Sequence, residues 1–209
     1  MKKLGIIGGM SWESSALYYR GLNQGIRQRL GGLHSAPVVL NSLEFGEVAK
    51  LQHDNDWAAL EALMIKEALA LKAAGSDVIL IATNTMHLMF DAVKAAVGLP
   101  LLHIAHGTGQ ALKQAGHSRP LLLATGFTME KTFYRGYLHD NFGLEPLIPD
   151  EADRKETHRI IYEELCLGKI SDSSREFFKN MIPKYEQADT VILGCTELTM
   201  IIEDQISDK

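Results

Sequence analysis

The same short pattern occurs twice in this chain, and that repetition constrains its architecture more than any other feature. Ser76-Asp77-Val78-Ile79-Leu80-Ile81-Ala82-Thr83-Asn84-Thr85 lies over Ala188-Asp189-Thr190-Val191-Ile192-Leu193-Gly194-Cys195-Thr196-Glu197. In each copy a small residue and Asp precede a run rich in Val, Ile and Leu. Ala or Gly follows, then a nucleophile-type side chain, then another polar residue. Thr83 therefore meets Cys195, and Asp77 meets Asp189. A second pair, LGIIGGMSWE from Leu4 to Glu13 over LLLATGFTME from Leu121 to Glu130, lies at nearly the same offset, a little more than half the chain. Two similar registers predict two related lobes, with matching strand ends facing each other across a cleft.

The stretches between these copies alternate between strand-like and helix-like patterns. A strand over residues 3–9 ends in Gly8-Gly9, and a helix from about Ser11 carries Tyr18, Leu22, Ile26 and Leu30 four apart. A strand is expected over 37–42. A polar turn, His53-Asp54-Asn55-Asp56, can cap a helix from Trp57 to Ala74 with Leu60, Met64 and Leu71 inward. The strand 77–82, a helix from Met86 to about Val97 and a short strand at 100–104 complete the first half. In the second half, helices are expected near 106–115, 128–141, 151–167 and 172–186. Strands are expected at 120–124, 144–148 and 190–194. Strands alternating with helices imply α/β layers with parallel sheets. Apolar strands with little in–out alternation fit sheets covered on both faces. The expected fold class is thus α/β, with two pseudo-symmetric lobes, each a parallel β-sheet flanked by helices, and the active site in the cleft between them. The N-terminal lobe is placed at 1–100 and the C-terminal lobe at 101–209, with the final segment packing back on the first lobe.

Composition narrows the setting. The chain has 209 residues, 46% of them hydrophobic and 22% charged, as in an ordinary soluble globular protein. A formal net charge of −5 argues against a nucleic-acid partner, which needs a basic face. No apolar run reaches the roughly 18 residues that span a bilayer, so no membrane partner is expected. The N-terminus is too short and glycine-rich for a signal peptide and reads as a first strand. Two cysteines make no disulfide framework. A reducing cytoplasm is the simplest setting, with Cys195 a free thiol.

Cys195 is the leading chemical candidate. In α/β sheets, ligands bind beyond the carboxyl ends of strands, where Cys195 lies, just before a helix expected near Thr196. A helix N-terminus favours an anion, so a lowered thiol pKa is expected. The alternative is a small core cysteine, against which the polar neighbours Thr196 and Glu197 weigh. Cys166, between Leu165 and Leu167, reads as structural. Thr83, Asn84 and Thr85 form the matching cluster. One of them would suffice to cap the helix at Met86, so three invite a second role: holding a substrate carboxylate. Thr125, Thr128 and Thr196 add donors at equivalent strand ends. Gly8-Gly9-Met10-Ser11 is a tight turn but neither a Walker A loop nor a dinucleotide fingerprint. His103 and His106 lack a third ligand type nearby, and no metal site is expected. No G-x-S-x-G elbow is present.

At these residues the chain resembles the aspartate/glutamate racemase superfamily, through GIIGGMSWES at the start, ATNTMH at 82–87, ATGFTM at 124–129 and LGCTEL at 193–198. The resemblance implies cofactor-independent racemisation, without pyridoxal phosphate, on a small-molecule amino acid substrate, in a homodimer. Two facing cysteines usually serve. Here the first position is Thr83, which resembles the subgroup described as L-aspartate/glutamate-specific. The resemblance makes Thr83 and Cys195 catalytic, with Cys195 taking the L-isomer's α-proton and Thr83 donating or relaying one. It implies a substrate-binding set of Met10, Gln52, Asn84, Thr85, Thr125, Thr128 and Thr196. Two cationic positions that hold the side-chain carboxylate in two-cysteine relatives fall on Val48 and Cys166, with Gln52 a partial substitute. That leaves room for neutral amino acids. Two alternatives remain: a one-cysteine decarboxylase of the same superfamily, and a non-catalytic amino-acid-binding protein.

Overall fold

The computed structural model describes residues 1–202. The chain divides into two compact units, Met1–Ile104 and Ala105–Lys209. The expected return of the final segment onto the first lobe concerns residues beyond 202, outside the described ones.

The first unit is built on a parallel sheet of β1 (Leu4–Gly8), β2 (Val38–Ser42), β3 (Val78–Ile81) and β4 (Leu101–Leu102), in the order β2-β1-β3-β4. Leu4 pairs with Val38 on one side and Val78 on the other, and Ile79 with Leu101. Ile6, Ile7, Ile79 and Ile81 are fully buried, as strands covered on both faces require. The helices are α1 (Trp12–Leu30), α2 (Phe45–His53), α3 (Trp57–Ala73) and α4 (Phe90–Val97).

α1 starts where expected, with the Ser11 hydroxyl accepting the Ser14 N–H. It docks differently from its apolar seam, however. Leu22 and Ile26 are only half-buried and Leu30 is exposed, while Ser14 and Ser15 are buried. The cause is the tight turn before the helix. A Cβ on Gly8 would stand 2.5 Å from the Ser15 hydroxyl, and that hydroxyl accepts the Gly9 N–H at 2.8 Å. Small residues thus let the first helical turn close on the strand end. Gly9 itself has φ +86°, and a Cβ there would lie 2.3 Å from the Leu43 carbonyl oxygen.

α2 is an element the sequence pattern did not announce, capped by Glu44 through the N–H groups of Gly46 and Glu47. The polar turn after it behaves as read: Asp56 caps α3 through Ala59 N–H, and Leu60, Met64 and Leu71 are buried. The helix expected from Met86 begins instead as a 3-10 turn, Thr85–Met89, before α4.

The second unit holds a parallel pair, β5 (Pro120–Leu123) and β6 (Thr190–Leu193). The strand expected at 144–148 contracts to one bridge, Leu121 to Leu147, closed by hydrogen bonds of 2.8 Å from Leu122 N–H and from Leu147 N–H. Around the pair lie α5 (Ile104–Ala115), α6 (Gly126–Glu130), α7 (Thr132–Phe142), α8 (Glu151–Arg159) and α9 (Asp172–Met181). The single helix expected over 151–167 is α8, then a π-helical stretch, Ile160–Glu164, then a 3-10 turn, Leu165–Leu167. Glu164, at the break, accepts hydrogen bonds from Ser171 and Ser174 at 2.8 and 2.6 Å, which draws the chain out of helical register.

The repeat has a structural counterpart in each unit. Asp77 accepts Lys3 N–H at 2.7 Å, fixing the start of β1. Asp189 accepts the N–H groups of Ser118 and Arg119 at 2.6 and 3.0 Å, fixing the start of β5. At the other strand ends, Ala82 N–H bonds Ile7 at 2.9 Å and Gly194 N–H bonds Leu123 at 2.7 Å.

Candidate functional site

In the first unit the chain leaves β3 at Ala82, and Thr83, Asn84 and Thr85 follow directly. Thr83 and Asn84 are partly exposed and Thr85 is buried. Asn84 occupies the N-cap of the 3-10 turn without a side-chain capping bond, so capping does not account for the cluster. His87 fixes this segment. Ile104 N–H donates to its Nε2 at 3.0 Å, so Nε2 carries a lone pair and Nδ1 the proton, which it donates to the Thr83 carbonyl at 2.8 Å. Burial pushes the His87 pKa down to about 4, keeping the ring neutral. Phe90 stacks on this ring and His103 meets its edge.

In the second unit β6 ends at Leu193, and Gly194 passes close to β5. A Cβ there would lie 2.9 Å from that of Ala124 and 3.1 Å from the Leu123 carbonyl oxygen. The absence of a side chain lets the backbone just before Cys195 pass this close to the end of β5. The Cys195 thiol donates to Glu197 Oε2 at 2.8 Å, and the Thr196 hydroxyl donates to the same oxygen at 3.0 Å. The helix expected here is a five-residue 3-10 turn, Thr196–Met200, too short to carry an appreciable dipole. The expectation of a lowered thiol pKa is therefore corrected. Burial pushes it well above the ordinary thiol value, and the Glu197 charge adds to the rise.

The remaining expected residues lie as follows. Thr125 and Thr128 are buried at the β5 end, their hydroxyls 3.4 Å apart. Gly126 N–H donates to His158 Nδ1 at 3.0 Å. Met10 is buried in the first unit's apolar core, and Gln52 is buried on α2, one turn from the fully buried Val48. Cys166 is partly buried against the second unit's core, as its apolar neighbours suggested. His103 and His106 have separate partners, His87 with Phe90 for the first and the Tyr137 hydroxyl for the second. Among the described residues no group of three or more His, Cys, Asp or Glu gathers as metal ligands would, and no helix is long and apolar enough to cross a membrane.

Sequence reasoning missed His87, Glu197 and Tyr162 as contributors. Tyr162 comes from the π-helical stretch. Burial raises its pKa, with further contributions from Cys166, Cys195 and Glu197. Glu197 had a signal, two residues after the cysteine in the repeat. Tyr162 had none, since a π-helical register is not legible in side-chain periodicity.

Fold and strand ends define a class first: α/β proteins of two parallel-sheet units, each presenting polar side chains beyond the carboxyl ends of its strands. The chain belongs to the Asp/Glu/hydantoin racemase family, which it matches over residues 7–209. A candidate Asp/Glu racemase from Yersinia pestis is 48% identical, with a TM-score of 0.91 over 99% of this chain and 91% of that one. An aspartate racemase homologue from Pyrococcus horikoshii OT3 is 34% identical, with a TM-score of 0.81 over 99% and 90%. The broad specificity amino-acid racemase RacX of Bacillus subtilis (strain 168) is 23% identical over 156 residues, 73% of this chain. That match spans 64% of RacX, less than two thirds of its length.

Proposed function

We propose that the protein is an amino acid racemase that works without pyridoxal phosphate, on L-aspartate, L-glutamate and neutral amino acids, by direct exchange of the α-proton. The observation that carries this reading is the paired chemistry of the repeat inside a racemase family: Thr-Asn-Thr after β3 and Cys-Thr-Glu after β6. Asn84, Thr85 and Thr196 hold the substrate α-carboxylate, with Met10, Gln52, Thr125 and Thr128 completing the binding set. The Cys195 thiolate takes the α-proton of an L-substrate. The Cα–H bond breaks, an S–H bond forms, and the electron pair moves into the carboxylate, where preorganised donors stabilise the charge. A proton then reaches the opposite face from the Thr83 side, directly or through water. A threonine hydroxyl is too weak an acid to serve as an anionic base near neutral pH, so Cys195 is the base of the pair.

The test is α-hydrogen exchange in D₂O, followed by NMR with each L-amino acid in turn. The wild type exchanges at least one substrate, and Cys195→Ser, folded by circular dichroism, loses the exchange because a serine hydroxyl supplies no base. Exchange within a few-fold of wild type in that variant removes Cys195 from the mechanism. Binding without exchange in the wild type removes the racemase reading.

A further inference from the structure

The racemase reading needs Cys195 to shed its own proton before it can accept one from carbon, and the structure shows where that proton is held. The thiol points at Glu197 Oε2, 2.8 Å away, and the Thr196 hydroxyl braces the same oxygen at 3.0 Å. We propose that the Glu197 carboxylate is the proton-holding partner of Cys195: it fixes the direction of the S–H bond and controls when the sulfur is free to act as a base. This inference rests on Cys195 being the base of the exchange reaction.

The chemistry follows from charge. A thiol can donate to a carboxylate, whereas a thiolate beside it places two anions in contact. Other groups act in the same direction. Among the described residues, the titratable side chains acting on Cys195 are Glu197 on its own turn and Cys166 from the turn Leu165–Leu167, while Tyr162 from the π-helical stretch is in turn influenced by Cys195. None of the three is a cation. Burial also favours the neutral thiol. Glu197 is the part of this environment that can be removed without opening a cavity. Its amide isostere keeps the shape, loses the negative charge, and can turn an N–H toward sulfur, which favours the thiolate. At rest the sulfur is protonated. Its proton leaves to solvent as pH rises, and only then can the lone pair on sulfur take the proton from Cα.

The test reads the thiol itself rather than turnover. The full-length wild type and Glu197→Gln are treated with iodoacetamide across pH 6–10, and alkylation of the Cys195 peptide is quantified by mass spectrometry. The expected result is a midpoint at least about one pH unit lower in the variant, with roughly tenfold faster alkylation at a fixed pH below both midpoints. An unmoved or raised midpoint overturns the proposal. Should Glu197→Gln fail to fold, Glu197→Asp, which keeps the charge but retracts it, is expected to give a smaller fall, and no fall overturns the proposal equally. The α-exchange of L-substrates, measured in parallel, should gain its alkaline limb at the same midpoint in each protein. A shifted alkylation midpoint in a protein with no exchange sinks the racemase reading but leaves the Glu197–Cys195 pairing standing. Intact exchange with an unshifted midpoint does the reverse.

Discussion

Thr83 and Cys195 hold equivalent places in the repeat, yet their surroundings differ in kind. Thr83 follows β3 with its carbonyl held by a neutral imidazole. Cys195 follows β6 with its thiol on a carboxylate. Under the proposed mechanism only the second offers a base, so L-substrates should exchange faster than D-substrates in the wild type. Thr83→Cys gives the first position a group that can ionise, with no carboxylate two residues on, because the repeat has Thr85 where the second copy has Glu197. The ratio of D to L initial α-deuteration rates should rise by roughly tenfold or more, a modest part of what a positioned acid or base contributes. Measuring both enantiomers in both proteins checks this. An unchanged ratio in a folded variant means that residue 83 does not meet the α-carbon.

The elements that carry these residues are held by bonds with their own pH dependence. His87 ties the end of β3 to the start of α5, through the Thr83 carbonyl and Ile104 N–H. Its pKa lies below the ordinary histidine value of 6.5, at about 4. As pH falls, the unfolded chain therefore takes up this proton first, and His87 withdraws stability between about pH 6.5 and 4 and little further below. The loss is on the order of 3 kcal/mol over that window. Urea denaturation at pH 7 and pH 4.5 should show a smaller acid loss in His87→Gln, whose amide can make both bonds without titrating. Equal losses in the two proteins would mean that His87 is not held neutral. Sequence periodicity made β3, β6 and α3 legible because apolar runs and a polar cap mark them locally. It missed α2, which begins Phe45-Gly46 with no long seam, and the breaks at 85–89 and 160–167. At the second, Ser171 and Ser174 bond Glu164, and at the first, His87 bonds Ile104, partners that no local pattern encodes. The repeat brought out Thr83 and Cys195. The thiol's environment is not legible in the sequence, because the turn after it reads as a full helix and Glu197 as no more than a polar neighbour.

At the scale of the whole molecule, charge bears on the substrate range of the proposed racemase. The chain carries a formal net charge of −5, a field that disfavours approach of a substrate bearing a second carboxylate. The two positions where the family resemblance leads one to expect cations add nothing against that field. Val48 is 1% exposed within the apolar core of the first unit, and Cys166 packs partly buried against the core of the second. Gln52, one helical turn from Val48, is buried and can offer an amide but no charge. A side-chain carboxylate taken out of water without a cation is costly, whereas an apolar or amide side chain has no such term. The substrate range should therefore include neutral amino acids, with kcat/KM at least comparable to that for aspartate and glutamate. Salt supplies an independent check. Raising ionic strength screens the net charge and should lift kcat/KM for the acidic substrates while leaving the neutral ones nearly unchanged. The measurement is an α-exchange panel of L-amino acids at low and high salt. Activity confined to aspartate and glutamate, insensitive to salt, would mean that a cation elsewhere in the chain holds the side-chain carboxylate, and the roles given to positions 48 and 166 would fall.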